Sequence, residues 1–236
     1  MPAIELMAGD NPPLTVTSRT HVRGHPAGSR IVGEGRLHGV NVAAGSHDVL
    51  LEGFTVTGSP VEGTHGIRAV GATRLTIRDV TVRDCASYGI GLQGRAPFRA
   101  VTLERVEVYR TGRDGIDIKN DSGMNRHCVM REVLVRDHGL AEDQCAALDI
   151  RGRWTLTGIR VETVGQPGRP DLVGIRFRRD GISPDGTRNG SANWSILCGY
   201  IVRCTGAAAK RAVVVEPSVA GFPAPKVAVS GGKVFG

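Results

Sequence analysis

The sequence predicts an all-β fold: a single-stranded, right-handed parallel β-helix, a solenoid of roughly seven to eight coils forming one domain. Three observations predict it. One strand-bend-strand pattern recurs along most of the 236 residues. Each recurrence then runs through a polar turn into a short Gly-Ile-type strand. No stretch keeps apolar residues at helical spacing for more than two turns, whereas Val, Ile and Thr alternating with Arg, Asp and Glu show the period of half-buried strands.

The long segments align as Val49-Leu50-Leu51-Glu52-Gly53-Phe54-Thr55-Val56, Leu75 to Val82, Val101 to Val108, Cys128 to Val135 and Trp154 to Val161. Each alternates, breaks for two residues and alternates again. The short strands that follow are Gly66-Ile67-Arg68-Ala69, Gly89-Ile90-Gly91-Leu92, Gly115-Ile116-Asp117-Ile118, Ala147-Leu148-Asp149-Ile150 and Gly174-Ile175-Arg176-Phe177, and Ala212-Val213-Val214-Val215 closes the series. From Ile67 through Ile90, Ile116, Leu148 and Ile175 to Val213 the intervals are 23, 26, 32, 27 and 38 residues. A little over 20 residues suits one triangular coil, and the excess falls in polar stretches such as Gly139 to Gln144 and Asp180 to Asn193, as insertions should. A sandwich would need tight two-residue hairpin signals, which are missing. A leucine-rich repeat would need its Asn-containing Leu motif, also missing.

Residues 1–46 are expected to form irregular N-terminal coils, from Leu14-Thr15-Val16-Thr17, Arg30-Ile31-Val32-Gly33 and Val40-Asn41-Val42. Residues 47–216 hold the regular coils, with Trp194 to Cys204 opening the last one in a register the pattern leaves open. Residues 217–236 read as an edge strand or cap. Solenoid ends expose strand edges, so a homo-oligomer or further segments are expected to cover them.

Composition narrows the partners. A net charge of +7 and a pI near 9.6 favour an acidic one. The basic residues are interleaved with Asp and Glu in strands rather than gathered in a tail, so the charge alone decides little among nucleic acid, an anionic polysaccharide and a membrane surface. Five cysteines without a Cys-x-x-Cys argue against a disulfide scaffold or zinc ribbon. The first residues lack the basic and apolar regions of a signal peptide, and no run approaches the length of a membrane span. Gly89-Ile90-Gly91-Leu92-Gln93-Gly94 has dinucleotide-loop spacing, but Arg95-Ala96-Pro97 follows where a helix should start, so it belongs to the repeat. His127 and His138 read as surface residues of turns.

Chemistry concentrates on the outward side of the short strands. If Ile116 and Ile118 point inward, Asp117 and Lys119 point outward. Stacking the coils gives one column of Arg68, Gly91, Asp117, Asp149 and Arg176, and a second of Val70, Gln93, Lys119, Arg151, Arg178 and Glu216. Coils lie about 4.8 Å apart, so Asp117, Lys119, Asp149, Arg151, Arg176 and Arg178 should make one patch, flanked by Asp114 and Tyr88.

The repeat from about Val32 to Glu216 resembles the pectin-lyase-like superfamily of right-handed β-helices, which includes pectate lyases, polygalacturonases, alginate epimerases and phage tailspikes. Asp114-Gly115-Ile116-Asp117-Ile118-Lys119-Asn120 is similar to the Asp-Gly-x-Asp strands of several lyases and epimerases of that fold. The resemblance implies a secreted or virion-associated protein and a lyase or C5-epimerase acting on a uronate glycan, with an acidic polysaccharide as partner rather than nucleic acid or a membrane. Such chemistry needs the sugar carboxylate neutralised, a base for the C5 proton and, for elimination, an acid for the leaving oxygen.

Asp117, Lys119, Asp149 and Arg151 are the candidate catalytic residues, with Lys119 or Arg151 as base if neighbouring cations lower its pKa. Asp114, Arg176, Arg178, Tyr88 and Gln93 are candidates for substrate binding. No cofactor is required; Asp117 and Asp149 are the oxygen ligands available to Ca²⁺. Two alternatives stand beside this reading: a glycoside hydrolase using paired Asp, although the polygalacturonase motifs are absent, and a non-catalytic glycan- or receptor-binding or structural β-helix.

Overall fold

In a computed structural model, which describes residues 2–94, 96–120, 125–164, 168–178, 194–204, 211–218 and 224–235, the chain is a parallel β-helix with three faces. The first face stacks Ala3–Glu5, His21–Arg23, His47–Glu52, the start of Thr73–Cys85 and of Thr102–Thr111, Cys128–Arg131, Trp154–Thr157, Trp194–Cys198 and Lys226–Ser230. The second runs from Gly9–Asn11 through Ser29–Val32, Thr55–Thr57, Leu134–Arg136 and Arg160–Val164 to Ile201–Cys204 and Lys233–Phe235. Thr73–Cys85 and Thr102–Thr111 pass unbroken through the bend, which joins these two faces into one 16-stranded sheet. The third face is a separate eight-stranded sheet: Leu14–Val16, Val40–Val42, Ile67–Val70, Ile90–Gly94, Ile116–Asn120, Ala146–Ile150, Val173–Phe177 and Val213–Val215.

Ile67, Ile90, Ile116, Leu148, Ile175 and Val213 form one in-register ladder on that third face, as the sequence spacing requires. The two-residue break of the long segments has a backbone cause. Its second residue is left-handed on coil after coil: Gly53 (φ 75°), Asp79 (54°), Arg105 (50°), Glu132 (52°), Gly158 (65°), Gly199 (61°) and Gly231 (60°). One left-handed residue shifts the pleat alternation, so the apolar residues on both sides of the bend point inward. Leu51 with Phe54, Ile77 with Val80 and Leu103 with Val106 are all buried for that reason.

The interior is an aliphatic stack. Leu51, Ile77, Leu103, Met130, Leu156 and Leu197 are completely buried, each such side chain contributing roughly 1.5–3 kcal/mol. The Gly of the Gly-Ile repeat is fixed by close approach. A Cβ on Gly89 would lie 2.3 Å from a Val108 methyl and 2.6 Å from the Gly115 carbonyl oxygen, so the turn into the third face closes only without a side chain.

Three local expectations are sharpened or corrected. Strands begin as early as Ala3–Glu5 and pair in register with His21–Arg23, so residues 1–46 share the sheets of the regular coils. In the last long segment Thr155 pairs with Ile196, which puts Ser195 rather than Trp194 opposite Trp154. Ser195 is a buried polar residue whose Oγ accepts from Trp154 N (3.2 Å) and donates to Gly152 O (3.1 Å); a serine at a core position is why the pattern left the register open. His138, expected at the surface, is fully buried, because it follows the inward residues Cys85 and Thr111 by one more coil. His127 is exposed. The insertion from Asp180 to Asn193 lies outside the described residues.

Candidate functional site

The outer side of the third face carries the predicted patch, and it is built by register. Ile116 and Ile118 are completely buried in the core, so Asp117 and Lys119 project from the opposite side of the strand. Asp117 pairs in register with Gly91 on one side and Asp149 on the other, and Asp149 pairs with Arg176. Lys119 pairs with Gln93. Asp114 and Tyr88 occupy equivalent places, each just before the Gly that opens its strand.

These outward residues are nevertheless buried. Relative exposure is 1% for Asp117 and Asp149 and 6% for Asp114 and Tyr88. One oxygen from each of the three carboxyl groups lies within 4.8 Å of the others. Asp149 is the saturated member: Arg178 Nε donates to both of its oxygens at 2.9 Å and Arg176 Nη2 to Oδ2 at 2.7 Å. Burial pushes Asp149 up, but the Arg178 hydrogen bonds and the two guanidinium charges outweigh it and hold the carboxyl below its usual range. Asp114 Oδ1 accepts from Ala146 N at 2.5 Å and lies 3.6 Å from Arg176 Nη2.

Asp117 differs from both. Among the described residues neither of its oxygens accepts a hydrogen bond, and its ion-pair partner is Lys119, with Nζ 3.4 Å from Oδ2. Burial, and then the charge of Asp114, push Asp117 up to about 7. Burial, and then Asp149, push Asp114 up to about 6. The Asp114–Asp117 pair therefore holds a proton close to neutrality, the condition for a group that both takes and gives one.

Lys119 Nζ donates to Tyr88 Oη at 2.5 Å and sits 4.4 Å from the Tyr88 ring centroid. Burial draws the Lys119 ammonium down, but Asp117 and Tyr88 outweigh it and the net shift is upward. The condition for Lys119 as base is not met, since its nearest partners are a carboxyl and a phenol rather than cations. Arg151 lies past the end of Ala146–Ile150. Its charge draws Asp117 down, and its carbonyl oxygen accepts from Asn125 Nδ2 (3.0 Å) and Trp154 Nε1 (3.1 Å).

A divalent cation would find on Asp117 two oxygens that accept no hydrogen bond among the described residues, and on Asp114 an Oδ1 already taken by one backbone N–H. Asp149, expected as the second ligand, is committed to Arg176 and Arg178 and would have to release both. Arg178 also reaches Glu216, 3.2 Å away, which extends the charge network by one coil.

The structure adds two residues that the sequence reading passed over. His38 and His65 precede Gly39 and Gly66 as Tyr88 precedes Gly89, and their rings continue the column. His38 stacks on His65 at 4.8 Å, and His65 meets Tyr88 at 5.0 Å. The His65 ring lies over Gly91, where a Cβ would stand 2.9 Å from its Cδ2. Gln93 sits at the edge of this column, donating its amide to His65 Nε2 (3.1 Å) and accepting from Arg68 Nε (3.4 Å). Burial, and then His38, hold His65 down at about 4, so it is neutral. The signal that could have found both is positional: a ring-bearing residue immediately before Gly-Val or Gly-Ile on successive coils.

Set against known protein families, curated proteins and solved structures, the chain matches none.

Proposed function

We propose that this β-helix is a member of the pectin-lyase-like superfamily that acts on an acidic, uronate-bearing glycan as a lyase or C5-epimerase. One observation carries the reading: the carboxyl of Asp117, which accepts no hydrogen bond among the described residues, lies beside the Tyr88–Lys119 pair, on the outward face of adjacent coils. Lys119, partly exposed, neutralises the sugar carboxylate and so acidifies the C5 proton. Asp117, poised near 7, accepts that proton. Tyr88 Oη returns one, to the leaving O4 in elimination or to the opposite face of C5 in epimerisation. Asp149, locked by Arg176 and Arg178, fixes the geometry. Ca²⁺, if used, would sit between Asp114 and Asp117 and assist the same neutralisation. Hydrolysis with inversion is less well supported: it wants carboxyl groups about 6.5–9.5 Å apart, whereas these oxygens approach within 4.8 Å.

A second reading is favoured by one fact. The carboxylates are nearly sealed and are matched by Lys119, Arg176 and Arg178, as in a cross-coil network that stiffens a binding or structural helix. Incubation with polygalacturonate, alginate and a neutral glucan, with and without Ca²⁺, separates the two. Elimination produces an ultraviolet-absorbing double bond together with a new reducing end, and epimerisation changes the uronate composition. Asp117→Asn and Tyr88→Phe should each lower the rate by about 100-fold or more while the fold is kept. Wild-type protein that leaves every anionic glycan unchanged supports the non-catalytic reading.

A further inference from the structure

A second site, one for anions, is indicated on the first face, beside the Arg99–Arg126 bridge and the start of Cys128–Arg131. On the outer surface of the large sheet several arginines are matched coil to coil. Arg74 grips Asp48, Arg105 grips Asp79 and Arg110 grips Asp84, each through two nitrogens on two oxygens. Arg99 and Arg126 have no such match. They pair with each other in register through a parallel bridge on adjacent coils, both are exposed, and neither meets a carboxylate among the described residues. Two like charges stacked about 4.8 Å apart repel, so the arrangement lowers stability unless an anion answers it.

The surroundings have the shape of a site. Arg126, His127 and Arg153 wall a cavity of about 470 Å³ whose floor is the outward column Val129, Thr155 and Ile196. Guanidinium forks match the two oxygens of a carboxylate or sulfate. The Val129–Ile196 strip offers an apolar bed for the C–H face of a sugar ring. Among the described residues no exposed Phe, Tyr or Trp lines the cavity, Trp154 being buried, and His127 is the one exposed ring, so the row of aromatic platforms on which successive bases of a single strand stack is missing from them. We infer that the Arg99–Arg126 ridge and its cavity bind the carboxylate or sulfate groups of an acidic glycan, at a place separate from the Asp117 cluster and independent of any chemistry there.

The test is binding of a galacturonate oligomer and a sulfated oligosaccharide to the intact chain, followed calorimetrically beside a neutral glucan and single-stranded DNA. Arg99→Gln/Arg126→Gln, near-isosteric at exposed positions, should fold as the wild type does and weaken anionic-glycan binding by about tenfold. Arg126→Gln alone should lose part of that, and serves should the double variant not fold. Arg131→Ala removes a neighbouring exposed charge outside the cavity and should stay within about twofold. Whether the carboxylated or the sulfated probe binds more tightly identifies which anion the forks prefer. The inference is overturned if the Gln variants bind unchanged, if Arg131→Ala loses as much as they do, if the neutral glucan or DNA binds as well, or if no anionic glycan binds.

Discussion

Two sets of ion pairs on this molecule use the same residues and the same cross-coil geometry, yet they do different things. On the first two faces, Asp48–Arg74 and Asp79–Arg105 stand in solvent, with side-chain exposures of 34% and 59% for the former. On the third face, Asp149–Arg176 is sealed, at 2% and 12%. The exposed pairs lower their carboxyl pKa values and little else, because water and salt screen the charge. In the sealed set the low local dielectric makes each charge felt by its neighbours. The same carboxyl that is unremarkable in solvent then becomes either locked, as Asp149 is, or proton-holding, as Asp114 and Asp117 are. Burial, rather than residue type, separates an ordinary ladder from a candidate site.

The sharpest way to break that comparison is to remove the anchor. Asp149→Ala strands two largely buried guanidinium groups and should cost about 3–5 kcal/mol, read as a loss of midpoint in denaturant unfolding. A cost below about 1 kcal/mol would mean that Arg176 and Arg178 find other partners and that the cluster is loosely held.

The next effect is in pH. Asp114 and Asp117 have folded-state pKa values raised to about 6 and 7, so the folded form binds more protons than the unfolded one between about pH 4 and 7. Their contribution is full below about pH 4 and is lost as the pH rises through 6 and 7. Asp149, lowered, contributes above the ordinary carboxylate range and loses that contribution as the solution becomes more acidic. Thermal stability should therefore peak near pH 5 and fall by on the order of 5 °C by pH 8. Asp117→Asn should flatten that alkaline limb, and an unchanged limb in the variant would detach Asp117 from it.

Two smaller effects test the exposed side. Arg74→Ala keeps a left-handed non-Gly residue in place (φ 50°), so it isolates the ion pair and should move the unfolding midpoint only slightly, by an amount that shrinks further in high salt. Glu132→Gly at the bend (φ 52°) should raise stability by about 0.5–1 kcal/mol, since Gly takes that conformation without a Cβ clash. A loss at Glu132 would show that its side chain holds the bend by contacts the backbone does not explain.

Much of the architecture was legible in the chain. The Ile67 to Val213 ladder could be counted out because an inward aliphatic recurs once per coil and insertions are confined to polar turns. The two-column arithmetic that put Asp117 opposite Asp149 and Lys119 opposite Gln93 held for the same reason: a strand's side-chain period is two and leaves no freedom. Legibility failed where a polar residue faces inward. Ser195 and His138 occupy core positions that an apolar pattern cannot see, and His38 and His65 sit in turns, where no periodicity marks them.

By itself, then, the sequence determined the stack of coils and which residues share an outward column, because periodicity and register are properties of the backbone. Only the tertiary structure decided what those columns become. Lys119, Arg176 and Arg178 close over one set of carboxyls and leave another in water, and that difference in solvation, which no spacing encodes, separates Asp117 from Asp79. It also decided that Arg99 and Arg126 stand beside each other without an acid between them. Which charges neutralise one another depends on distances across coils, set by bends and insertions that the linear pattern does not measure.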